Sequence, residues 1–167
     1  MAEKDTIFKG KIKQGGIFNF RDFYSFVYDW LREENYDLFE TNYTEKVKGD
    51  AKQIEIKWEA HKEISDYFKF MIKLQWMILG MKTVEVMKEG KKVKMDSGLI
   101  EIKFSSFLIK DYEHRWEEHA LWKFLRGLYD RYIIRSRIDD YEIRLLQETD
   151  ELISQCKAFL AIAGQHK

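Results

Sequence analysis

The chain has 167 residues, 29 Lys plus Arg against 29 Asp plus Glu, and five Trp, twelve Phe and nine Tyr. That apolar and aromatic content excludes disorder and suits a single globular domain with a sizeable core. The exact charge balance removes the long-range positive field that draws most nucleic-acid binders to phosphate, so that class is not expected.

Thr6 to Lys13 alternates, with Phe8 and Ile12 on one side and Lys9, Lys11 and Lys13 on the other, and predicts a first strand. Gly15-Gly16 is expected to turn the chain. Asn19 then caps a helix to about Glu34, with Asp22 at the third helical position and Phe18 placed to staple onto Phe23. Its aromatic stripe, Phe23, Phe26, Val27, Trp30 and Leu31, predicts a buried face.

Strands are predicted over about 38–48, 53–64, 67–86 with a bend near Gly80, 91–95 and 99–110. Gly49-Asp50, Ser65-Asp66, Glu89-Gly90 and Asp96-Ser97-Gly98 stand between them as hairpin connections, which makes an antiparallel meander. Ile54, Ile56, Trp58 and Ala60, then Phe68 to Ile78 at every second position, then Ile100, Ile102 and Phe104 mark one face. From Tyr67 to Met81 the other parity is apolar as well, through Met71, Met77 and Leu79, so that strand should be covered on both faces.

At about Asp111 the hydrophobic period changes from two to three or four. Trp116, Ala120, Leu121, Phe124, Leu125, Leu128 and Tyr132 form one helical stripe. Asp139 and Glu142 have capping-box spacing, which predicts a break or kink near 136–140. Ile138, Leu145, Leu152 and Phe159 then recur every seven residues, a stripe that needs a partner surface. The fold class is therefore α+β: strand, helix and a curved antiparallel meander over 1–112, then long C-terminal helices over 113–167.

Few residues offer chemistry. Glu113, His114, Glu117, Glu118 and His119 are the densest set of potential metal ligands, but residues five apart on a helix are turned roughly 140° from one another, so the two histidines share no face. Glu55, Lys57, Glu59, His61 and Glu63 form a charged strand face, with His61 a base only if that face lined an enclosed cavity. Cys156 lies within an apolar stripe and reads as a buried hydrophobe. Gly15-Gly16 lacks the Lys-Ser/Thr of a phosphate loop. Basic residues (Lys88, Lys91, Lys92 and Lys94) crowd one hairpin and read as a solvated turn. In the helical half a basic block (Lys123, Arg126, Arg131, Arg135, Arg137) precedes an acidic one (Asp139, Asp140, Glu142, Glu148, Asp150, Glu151), and the two are expected to pair, within the chain or between subunits. No cofactor, metal or catalytic set is expected.

The order strand, helix, antiparallel meander, long helix over roughly Thr6 to Tyr132 resembles the helix-grip architecture of START-like and polyketide-cyclase-like proteins. That resemblance implies a curved sheet wrapped about a long helix around an apolar cavity. On this reading Trp58, Met71, Trp76, Met77, Phe104, Trp116 and Phe124 line a pocket for an apolar small molecule. The alternative is an interaction module, with Ile138, Leu145, Leu152 and Phe159 joining subunits into a homo-oligomer or docking a partner. The charged start, Met-Ala-Glu-Lys-Asp, has no apolar core of a secretory signal, no stretch is long enough to span a bilayer, and the lone cysteine fits a reducing compartment, so a cytoplasmic protein is expected.

Overall fold

The computed structural model describes residues 3–110, 120–128 and 135–164. Strand β1 (Glu3–Phe18) leads into helix α1 (Phe20–Glu33), followed by β2 (Asp37–Lys48), β3 (Ala51–Glu63), β4 (Phe68–Lys88) and β5 (Lys91–Lys110), then α2 (Ala120–Leu128) and α3 (Arg135–Ala163). The strands form one curved antiparallel sheet in the order β1-β5-β4-β3-β2. The fold is α+β, as the change of period implies. β1 and β2 occupy opposite edges, so α1 is the crossover between them.

Local chemistry explains where α1 begins and ends. The Asn19 side chain accepts the Asp22 amide hydrogen bond at 3.0 Å, satisfying one of the helix's orphan donors. At the other end Asn35 takes a left-handed φ of 69°, the Asn35 amide bonds the Arg32 carbonyl, and the Tyr36 amide bonds the Leu31 carbonyl. This is a Schellman ending, with asparagine in the place glycine usually fills.

Two expected turns are strand instead. Gly15 and Gly16 pair with Leu99 and Gly98, so β1 runs on to Phe18. Asp96, Ser97 and Gly98 likewise continue β5, paired with Phe18, Ile17 and Gly16. The bend they accommodate lies across the sheet at Gly80, with φ 62° and a register shift between Leu79 and Lys82. A Cβ on Gly98 would stand 2.9 Å from the Leu79 carbonyl oxygen, so glycine is there for the close approach of two backbones. Glu89-Gly90 does turn, with positive φ at both residues as a tight hairpin requires.

Both helices α1 and α3 cover the same face of the sheet. From α1 come Phe23, Val27 and Leu31, all fully buried. α3 lies against β1, β5 and α1, burying Ile138, Leu145, Thr149, Leu152, Ile153, Cys156, Leu160 and Ala163. Phe26 stacks on Phe159 with ring centroids 5.0 Å apart, tying the two helices together. α3 is helical across 136–140, and Ile138 and Leu145 both anchor it on the core. Among the described residues, no helix is long and apolar enough to cross a membrane.

Candidate functional site

Strand parity sorts the candidate pocket residues. Trp58, Trp76 and Phe104 point to the helix-covered face and are at most 1% exposed. Their rings close-pack: Trp58 and Trp76 meet edge to face at 4.9 Å, Tyr24 meets Trp58 at 4.9 Å, and Phe23 meets Trp76 at 5.4 Å. Met71 and Met77 have the opposite parity and lie on the other face, paired across strands with His61 and Glu55. Phe124, on α2, is 64% exposed. Trp116 lies outside the described residues. The six described residues therefore share no single pocket, because residues an odd number apart on a strand cannot line one side of it.

The candidate interface residues are also placed differently. Leu145 and Leu152 are fully buried, Ile138 nearly so, and Phe159 packs on Phe23 and Phe26. Their stripe finds its partner surface within the chain, where the sheet offers the larger apolar area. They are not a free docking face in this structure.

A groove does exist between sheet and long helix, at the end where three elements converge. Its walls come from the β4–β5 hairpin (Lys88, Val93, Lys94, Met95), the end of α3 (Phe159, Ile162, Ala163) and the start of α1 (Asn19, Asp22), and it holds about 530 Å³. Val93 and Met95 turn inward because β5 alternates. Ile162 remains 62% exposed at the lip, an apolar side chain that the described residues leave uncovered. Lys88, exposed and of the same strand parity as the inward Val93 and Met95, flanks this apolar floor, whereas Lys94 has the opposite parity. In the sequence the hairpin lysines point only to a solvated turn. The alternation of Val93 and Met95 beneath them was the signal for a buried side.

Elsewhere one polar cluster crosses the covered face. Lys62 continues the parity of Ile54 to Ala60 into the core, and its Nζ lies 2.7 Å from Glu148 Oε1 on α3. The Tyr36 hydroxyl donates to Glu148 Oε2 at 2.7 Å, and the Lys62 ammonium sits over the Tyr36 ring at 4.9 Å. Burial first, and then the Glu148 carboxylate, push the Tyr36 pKa far up, so the hydroxyl stays a donor. This cluster fastens α3 to the sheet. A lysine at an apolar strand position was its trace in the sequence.

The open face carries the charged row. His61 Nε2 lies 3.5 Å from Glu59 Oε2, and Lys73 Nζ lies 3.6 Å from Glu59 Oε1. Burial, followed by the Lys69 charge, lowers the His61 pKa against the opposing pull of Glu59. His61 also meets Phe39 edge to face at 5.6 Å, and its buried Nδ1 has no hydrogen-bond partner among the described residues. The Cys156 thiol is fully buried, and burial pushes its pKa up to about 12, which suppresses the thiolate needed for nucleophilic work. The potential ligands Glu113, His114, Glu117, Glu118 and His119 lie outside the described residues; among those described, no three His, Cys, Asp or Glu side chains gather to hold a metal.

Compared with protein-family models, curated proteins and solved structures, the chain finds no match.

Proposed function

We propose that the chain is a non-catalytic, helix-grip-like cytoplasmic binding protein that holds an apolar small molecule between its curved sheet and its long C-terminal helix. The observation that carries this reading is the groove of about 530 Å³ bounded by Met95, Phe159, Ile162 and Ala163. Its size suits a small ligand, and its mix of apolar floor and a few charged groups is the usual composition of such sites. Lys88 at the rim favours a ligand with an anionic head, such as a fatty acid, whose chain lies on the apolar floor.

Displacement of a lipophilic fluorescent dye, with native mass spectrometry of the purified protein, tests this. A medium-chain fatty acid should displace the dye. Ile162→Asp should weaken binding by about tenfold or more, the worth of one apolar side chain at a binding surface. Lys88→Glu should weaken the acid while sparing the corresponding alcohol. A dye that is never displaced, together with a protein that carries no ligand, would end the proposal.

A second reading, self-association through the helical half, is favoured by the exposed apolar side chains Leu121 and Phe124 on α2 and Ile143 and Leu146 on α3. Light scattering on the full chain carrying Leu146→Glu should show a smaller assembly than the unaltered chain. An unchanged mass counts against it. Truncation near Arg137 is no substitute, because it strips the cover from β1 and β5.

A further inference from the structure

The sheet face turned away from α1 and α3 carries a segregated charge. Its register places Lys11 directly opposite Lys103, Lys103 opposite Gln75, and Gln75 opposite Lys57. One transverse row thus crosses four strands with three lysines and no acid. In the adjacent row Lys9 faces Ser105, Ser105 faces Lys73, and Lys73 faces Glu59.

Directly opposed residues hold their Cβ atoms about 4.5–5.5 Å apart, and like charges in that relation destabilise a sheet. A solvated face is more stable with alternating signs. Here Lys9, Lys11, Lys57 and Lys103 are exposed, and among the described residues none of the four makes an ion pair. Glu59, the only acid in the two rows, is already shared between Lys73 and His61. The chain as a whole is neutral, and the next row of the same face, Lys13, Glu101, Met77 and Glu55, carries two acids, so the excess is confined to these two rows.

Between Lys57, Lys73 and Lys103 lies a depression of about 270 Å³ whose other walls include Thr41, Gln75, Ser105 and the acid Glu59, which Lys73 already pairs. At the edge of the same face, opposite Glu59, Phe39 stands 55% exposed. Ammonium groups spread over roughly 14 Å from β1 to β3 suit successive phosphates, and an exposed ring beside them suits a base.

We infer that this open face binds single-stranded nucleic acid, with Lys11, Lys57 and Lys103 taking phosphates and Phe39 stacking a base. A polyanion without bases would use the lysines and leave Phe39 idle. Because the whole chain lacks a net positive field, binding depends on these contacts and is strongly weakened by salt.

Fluorescence anisotropy of the full chain with labelled oligouridine tests the inference, with inorganic polyphosphate as competitor. The paired change Lys11→Gln with Lys103→Gln should weaken binding at least tenfold and reduce the slope of log affinity against log salt by about 1.4. It relieves a repulsion, so its thermal melting should not fall, which separates lost binding from lost folding. Phe39→Ala should weaken oligouridine about fivefold or more and leave polyphosphate unchanged. No binding at low salt overturns the inference. So does binding indifferent to both lysine changes, or polyphosphate binding as tight as RNA with Phe39→Ala affecting neither.

Discussion

The two faces of the sheet are built from the same strands and the same backbone hydrogen bonds, yet they have opposite physical characters. On the covered face nearly every side chain is apolar and buried, with Trp58, Trp76, Phe70 and Phe104 under α1 and α3. On the open face lysines, glutamates and a histidine lie one residue away along each strand. The contrast shows where stability resides and where binding is unconstrained. Burying apolar area drives folding on one side; on the other, side chains are free to be chosen for charge.

The largest test of that contrast takes neighbours on β4. Trp76→Ala should destabilise by about 3–5 kcal/mol, from lost transfer free energy and the cavity left behind. Gln75→Ala, exposed on the other face, should change stability by no more than about 0.5 kcal/mol. Urea denaturation of both variants measures the difference, and comparable losses would erase the distinction between the faces.

Next comes the lysine on the wrong side. Lys62 is buried with Glu148, their side chains 9% and 16% exposed, so solvent screens the pair little. Glu148→Ala should cost about 3 kcal/mol because it leaves a buried ammonium uncompensated, whereas Lys62→Met combined with Glu148→Met should recover most of that loss. Lys57→Ala, a lysine of the same strand on the open face, should be nearly silent. A double variant no better than Glu148→Ala would show that the cluster fastens α3 by more than charge neutralisation.

The smallest effect concerns pH. The folded His61 pKa is lowered below its ordinary value near 6.5, so the unfolded chain takes up the proton first. The stability tied to the neutral ring is present above about pH 6.5 and declines as pH falls through the lower folded value. Melting temperature followed from pH 7 downwards should drop less steeply in His61→Gln than in the unaltered chain, and parallel curves would remove His61 as the cause.

Much of the architecture was legible. The switch of period near Asp111, the Asn19 cap, the Gly49-Asp50 and Glu89-Gly90 turns and the bend at Gly80 are local signals, and each is honoured. Gly15-Gly16 and Asp96-Ser97-Gly98 misled because glycine serves turns and close strand approaches alike. Only the partner strand distinguishes the two uses. The groove was less legible than the fold, since its walls are contributed by residues some 140 positions apart on α1 and α3 and by a hairpin that looks merely solvated.

Alternation in the sequence by itself marked a two-faced sheet, except from Tyr67 to Met81 where both parities are apolar, and the change of period after it marked a helical cover, because a strand's side chains repeat every two residues and a helix's every three or four. Tertiary structure decided the rest. It spent the Ile138 to Phe159 stripe on the chain's own sheet, divided Met71 and Met77 from Trp58 and Trp76, and left a groove at one end and a row of opposed lysines on the open side. Those outcomes depend on register and on which elements meet, and contacts between residues distant in sequence carry no periodic trace along the chain.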